Sequence, residues 1–335
     1  VAPFLLAAIL FIPSGIFGYE PETTHQHLSR KAAELFNRMV SDPLSLPLPK
    51  GETLLTVDEI NWLAQGTMEE DTPPRWLNHF YDPITSEGWN GEGVATANAE
   101  IIRIISSFGL SYKKIVSAKE WAKNPAQQSL YLAYKGDQTW QRAIKEYVNG
   151  NKKEAYLALG HTLHLLQDMT VPEHTRNDTH LGIVGDPASP YEKAAQKYTL
   201  NSVADIAPMQ FSNLDEYFNA LANYSNKNFV SENSIGKYDI RGQLSEVKIN
   251  SRYFIYLNKN NDYYPLYYRK TPGADGGEYS VNDERVLTAY WSRLAPKAVA
   301  AGAGVINLFF QQAEQAKNNP ELYQESKGAA VSLAS

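Results

Sequence analysis

The chain contains no cysteine in 335 residues. That excludes disulfides, thiolate zinc sites, iron–sulfur clusters, a cysteine nucleophile and a lipidated cysteine. Basic charge is not in excess: 31 Lys and Arg against 37 Asp and Glu leave a formal net charge of −6. The broad positive field that non-specific duplex binding needs is therefore missing, which argues against a passive nucleic-acid packager. Disorder along the whole chain is excluded by a 43% hydrophobic and 12% aromatic content,. Repeats and low-complexity linkers are absent too, so the length reads as one large domain. Histidine is scarce, with seven in all, yet four stand between positions 161 and 180. That clustering is the first lead.

The only long apolar run that opens the chain is residues 1–12, closed by Pro13, Ser14 and Gly15. It is short for a bilayer span and suits the apolar region of a secretory signal, with the basic segment expected before Val1. Residues 1–18 are read as that signal peptide, Gly18 as the small residue at the cleavage site and Tyr19 as the mature start. Residues 19–317 are read as one helical domain and 318–335 as a C-terminal tail,. Apolar periodicity predicts helices over 28–40, 97–108, 126–148, 152–169, 191–207, 214–226 and 283–316, with Pro296 expected to end or kink the first part of the last,. Residues 247–268 differ: Ile, Tyr and Phe flank Asn258-Lys259-Asn260-Asn261-Asp262, which is a hairpin signal, and Pro265 would suit only an edge strand,. The aromatic set of this hairpin (Tyr253, Phe254, Tyr256, Tyr263, Tyr264, Tyr267 and Tyr268) is expected to pack a flap onto the bundle rather than to touch lipid,. The expected fold class is all-α, a multi-helix bundle with a small β-hairpin insertion at about 230–281.

His164 and Asp168 stand four residues apart on a predicted helix, so they project from one face a turn apart,. An imidazole and a carboxylate so placed can ligate one ion, which would also neutralise a carboxylate that is costly to bury alone. His174 follows beyond Pro172, where the helix must end, and His180, Asp186 and Glu192 come next. Upstream stand Asp71 with His79, and His25 with His27. Without cysteine, any zinc here must use nitrogen and oxygen donors, which matches a hydrolytic site. His161 reads as an outer partner or packing residue rather than a ligand.

Taken in order, these elements resemble the superfamily of zinc-dependent phospholipases C and fungal single-strand nucleases. The motifs are Thr24-His25, Gly66-x-x-x-x-Asp71, His79-Phe80-Tyr81-Asp82-Pro83, the run Tyr156-Leu157-Ala158-Leu159-Gly160 leading into His164-x-x-x-Asp168-x-x-x-Pro172-x-His174, then Tyr191-Glu192 and the final Leu308-Phe309-Phe310. The resemblance implies a helical bundle around a cleft holding three zinc ions. By it, the first ion would be held by Asp71, His79, His164 and Asp168. The third would share Asp168 and take His25 with the amino and carbonyl groups of Tyr19, where relatives typically carry Trp. The second would take His174, Glu192 and one more histidine. Relatives place that histidine four residues before the acid, where this chain has Ala188; His180, with Asp186 behind it, is the substitute.

The implied activity is hydrolysis of a phosphodiester, with Asp71 as the residue that orients or deprotonates the nucleophile. The stretch around His79 and the acid at Glu192 are closer to the bacterial phospholipase C branch, which implies a phospholipid substrate, release of diacylglycerol and a phosphorylated head group, and transient contact with a membrane surface. The N-terminal segment implies export to the periplasm or beyond the cell, and no stable nucleic-acid partner and no obligate protein partner are expected,. Two alternatives stay open: a nuclease acting on single strands, and a secreted zinc-binding protein without turnover, which the Ala188 departure keeps alive.

Overall fold

The computed structural model describes residues 21–41, 54–72, 74–89, 115–180, 188–237, 239–269 and 278–319. The expected signal peptide, Tyr19, the helix expected over 97–108 and Asp186 lie outside the described residues, as does the tail beyond residue 319.

The fold is mostly helical. A π-helical turn, Pro21–His25, leads into α1, Gln26–Ser41. Helix α2, Val57–Glu70, begins at a capping box: Glu59 N–H donates to Thr56 Oγ1, and Thr56 N–H donates back to Glu59 Oε2 at 2.8 Å,. A 3-10 turn, Arg75–Asn78, follows. Then come α3, Ala118–Trp121, α4, Pro125–Gln128, and α5, Trp140–Val148. The buried helix α6, Lys152–Asp168, is followed by two short helices, α7, Pro172–Thr175, and α8, Pro190–Ala195. Helix α9, Leu214–Asn228, precedes the sheet, and α10, Glu284–Asn318, closes the described fold. Helix α10 is the axis of the core: Phe310 stacks on Phe36 of α1, and Tyr147 of α5 meets Phe309 and Phe310 edge-on. Its apolar stretch is long enough to cross a membrane, but 83% of that window is buried inside the fold, so it is a core helix,.

Three expectations fail for local reasons. The helix expected over 126–148 is interrupted, because Lys135 and Gly136 adopt left-handed φ values of 75° and 61° and Thr139 starts α5 as its cap,. The helix expected over 191–207 stops at Ala195. Beyond it, α1 side chains capture the backbone: His27 Nε2 accepts from Leu200 N–H at 2.9 Å and Arg38 donates to Val203 O at 3.1 Å,. Helix α10 runs through Pro296 without ending, since Leu294, Ala295, Ala298 and Val299 are all in the core and their packing outweighs one lost hydrogen bond,.

The hairpin is part of a larger element, so all-α understates the fold. Strands β1, Gln243–Ile249, β2, Arg252–Lys259, β3, Asp262–Arg269, and β4, Tyr279–Ser280, form one antiparallel sheet in that order. The β2–β3 turn is Asn260-Asn261, with φ of 53° and 64°, a two-residue loop whose twist matches the strands,. Strand β4 reaches only Tyr268 and Arg269, so β3 is an edge at Pro265, where the register with β2 also shifts,. One face packs inward through Phe254, Leu257, Tyr264, Leu266 and Tyr268, and Phe229 stacks on Tyr264 at 5.5 Å. The aromatics of β2 and β3 therefore do pack the sheet onto the bundle, although Tyr263 remains 51% exposed.

Candidate metal centre

Two glycines set the geometry. Where α2 crosses α6, a Cβ on Gly66 would lie 2.1 Å from Leu157 O and one on Gly160 would lie 2.2 Å from Leu63 O. Only glycine at both positions allows the backbones so close. The crossing brings Thr67, Glu70 and Asp71 at the end of α2 against His161, His164 and Asp168 of α6, a helix whose side chains are all buried from Ala155 to Asp168. His25 enters from the π-helical turn and His79 from the end of the 3-10 turn.

Five residues meet there. Asp168 Oδ2 lies 3.1 Å from His79 Nδ1 and 3.4 Å from His164 Nε2, while Oδ1 lies 3.6 Å from His25 Nε2. Asp71 Oδ1 lies 3.5 Å from His164 Nε2 and 3.6 Å from His79 Nδ1. His25 stacks on His164 with ring centroids 3.7 Å apart. A second cluster stands beside the first: Glu192 Oε1 is 3.2 Å from His174 Nε2, and Oε2 is 3.0 Å from His180 Nε2. His180, from the loop after α7, thus takes a place beside Glu192 that Ala188 does not.

Four of the five histidines are pinned through their other nitrogen. His164 Nδ1 faces Thr67 O at 2.6 Å, His174 Nδ1 faces His79 O at 3.0 Å and His180 Nδ1 faces Asp178 O at 3.1 Å. A carbonyl only accepts, so these Nδ1 atoms carry a proton and each Nε2 points into its cluster. His25 Nδ1 pairs with Gln167 Oε1 at 2.7 Å, and Gln167 in turn donates to Ser29 Oγ.

The remaining one, His79, stands beside Glu70, which sequence reasoning missed. Fully buried, Glu70 accepts from Arg75 Nε and Nη2 at 2.9 and 2.7 Å, from Trp121 Nε1 at 2.7 Å and from His161 Nδ1. Its Oε1 also stands 3.6 Å from His79 Nε2. His161 is therefore a partner of Glu70 rather than a member of either cluster. The available signal was Glu70 directly before Asp71, with Arg75 five residues on. Arg176 is buried and donates to Asn226 O and to Ser234 Oγ.

The titration of the two clusters reflects crowded charge. Burial pushes the Asp71 carboxyl up to about 6, against the pull of His164 and His79,. For His79, burial disfavours the cation, but Asp168, Glu70 and Asp71 outweigh it and raise the imidazole to about 10. His180 is likewise raised to about 10, burial being outweighed by Glu192. Burial, then the nearby Glu192 charge, pushes Glu173 up to about 8. Protons on His79 and His180 thus do part of what a cation would do, and a metal must displace them.

The donor set fits a metal ion. Both oxygens of Asp71 and of Asp168 are buried and receive no hydrogen bond among the described residues. Leaving such carboxylates uncompensated is costly unless a cation meets them. Tetrahedral zinc with bonds of about 2.0–2.2 Å sets donor–donor edges of about 3.3–3.6 Å. The Asp71, His79, His164 and Asp168 contacts, at 3.1–3.6 Å, fall close to that range. Three groups can hold an ion: His25 with His164 and Asp168, Asp71 with His79 and His164, and His174 with His180 and Glu192.

No family model matches the chain, and no curated protein matches it. Solved structures do. One is described as alpha toxin from Clostridium absonum, 14% identical, with a TM-score of 0.47, covering 88% of this chain. Another is an alpha-toxin of Clostridium perfringens from avian strain SWCP, 12% identical, with a TM-score of 0.45, covering 90% of this chain. The chain spans 66% of the length of each.

Proposed function

We propose that this chain is an exported zinc-dependent phosphodiesterase that acts as a phospholipase C. The observation that carries the metal reading is the pair of buried carboxylates, Asp71 and Asp168, with four oxygens that receive no hydrogen bond among the described residues and three histidines around them. The order of motifs from Thr24-His25 to Tyr191-Glu192 supports the superfamily, and the stretch around His79 with the acid at Glu192 supports its phospholipase C branch. In this reading Asp71, His79, His164 and Asp168 hold one zinc. His174, His180 and Glu192 hold a second, and His25 with Asp168 and the free N-terminus at Tyr19 holds a third. Zinc so held would neutralise the phosphate oxygens, acidify a water and stabilise charge on the leaving alkoxide.

The protein's own groups supply the rest. Asp71, held against Nε2 of His164, would orient or deprotonate the attacking water,. Gln167, Thr67 O, His79 O and Asp178 O hold four of the imidazoles in one orientation, and Glu70 stands 3.6 Å from Nε2 of the fifth, His79, which favours a preorganised donor set,. Completion of the Glu192 cluster by His180 favours a working second site over a protein without turnover.

The test is to incubate the chain beginning at Tyr19 with phosphatidylcholine vesicles and assay the released phosphorylated head group, with and without chelator. Chelator-sensitive release is the expected result. If zinc-loaded protein released nothing from vesicles but cut single-stranded nucleic acid, the nuclease would replace the phospholipase. Inertness toward both would refute the enzyme reading.

A further inference from the structure

His174 and His180 sit on the same short stretch, yet no helix longer than four residues supports it. A loop that presents two donors to one carboxylate needs an external brace. The structure has one, in the last turn of α9 and the residues that follow it to Ser234. Asn226 Nδ2 donates to Thr175 O at 2.7 Å, and Thr175 Oγ1 lies 3.3 Å from Ser225 Oγ. Arg176 donates to Asn226 O and, at 3.3 Å, to Ser234 Oγ. Asp178 receives two bonds from one residue: Asn233 N–H to Oδ2 at 3.2 Å and Asn233 Nδ2 to Oδ1 at 3.1 Å. Asn177 turns the chain at φ 54°, which lets Asp178 N–H reach back to Glu173 O at 3.0 Å.

We infer that Asp178, clamped by Asn233, is the positioning residue that makes His180 a donor of the second cluster. The clamp fixes the peptide whose carbonyl accepts from His180 Nδ1 and so aims Nε2 at Glu192. The brace is needed here because the second histidine comes from a loop. His180 is twelve residues from Glu192 and lies on no helix, so its own backbone supplies no such support. The clamp also ties the second cluster to the segment that leads into the sheet, 55 residues away in sequence. This inference rests on the metal reading above.

Zinc stoichiometry and affinity would be measured by chelator competition on the chain beginning at Tyr19, with the unfolding temperature of the metal-free form recorded beside them. His180→Ala defines the second site by losing one equivalent of zinc. Asp178→Ala is expected to weaken that same site by about 10–100-fold, the range for outer partners of metal ligands, with the other sites unchanged. Asn233→Ala is expected to weaken it less, because the Asn233 backbone N–H still reaches Asp178, and the double variant should match Asp178→Ala alone. Cobalt loaded in place of zinc should show an altered visible spectrum for the second site only. Arg269→Ala, which loosens the sheet through its bond to Glu246 without touching the loop, should change none of these. Affinity in Asp178→Ala within about twofold of wild type, with His180→Ala still losing an equivalent, would overturn the inference. So would an equal weakening at every site together with a lower metal-free unfolding temperature, which marks a general structural role. Full stoichiometry in His180→Ala would overturn the metal reading of this cluster and the inference with it.

Discussion

Replacing Glu70 with Gln tests the architecture beneath the proposed metal centre. Glu70 is fully buried and takes four hydrogen bonds, two of them from Arg75, which is itself 0% exposed. Glu70→Gln is nearly isosteric, so no cavity forms. It removes a negative charge that Arg75 touches and places an amide N–H₂ among donors. Breaking a buried ion pair from one side costs about 3–5 kcal/mol, because the remaining charge stays desolvated. Arg75 keeps Gly136 O and Gln128 Oε1 as partners, which argues for the lower half of that range. The assay is urea unfolding of metal-free protein for wild type, Glu70→Gln, Arg75→Met and the double variant. The double variant should cost less than the sum of the singles by at least 1 kcal/mol, since removing both charges leaves neither stranded, and coupled pairs deviate by about 0.5–3 kcal/mol. Zinc affinity at the His79 site should fall by about 10–100-fold in Glu70→Gln. A loss under about 1 kcal/mol with additive singles would refute the claim that this pair carries the α2 end of the site.

Three further outcomes are expected. In metal-free protein, the His180 imidazole, raised to about 10, contributes stability that is complete below its unfolded value near 6.5 and is lost as pH rises toward 10; the gap in urea midpoint between wild type and His180→Gln should narrow over that interval, and a constant gap would contradict the pairing with Glu192,. Gly160→Ala, whose Cβ meets Leu63 O at 2.2 Å, should destabilise by about 1–3 kcal/mol and weaken zinc binding by prising α2 from α6; an unchanged unfolding midpoint would show that the crossing can relax,. Protein retaining residues 1–18 should lack one zinc and hydrolyse no phosphodiester, because an amide nitrogen at Tyr19 cannot replace a free amine; equal activity of the two forms would remove Tyr19 from the site.

Much of the helical frame was legible locally. Apolar periodicity placed the helix expected over 28–40 within two residues of α1, and that over 152–169 within one residue of α6. It failed over 126–148 and 191–207. There the decisive terms were two left-handed residues and hydrogen bonds from α1, which hydrophobic spacing does not contain. Strand β1 was also missed. Its residues are largely exposed, so they carry no apolar alternation, and pairing with β2 is what defines it.

The same division runs through the site. By itself the sequence determined the donor chemistry: without cysteine only nitrogen and oxygen ligands remain, and the spacing of His164 and Asp168 puts both on one helix face by helix geometry alone,. Tertiary structure decided which distant residues join them. Asp71 and His79 reach Asp168 because two glycines let α2 and α6 touch, and His180 reaches Glu192 because Asn233 grips the loop that carries it. Glu70 acquired its role only when Arg75, Trp121, His161 and His79 closed around it. Such contacts depend on how backbones cross and where loops close, and residue spacing along a single helix does not encode either.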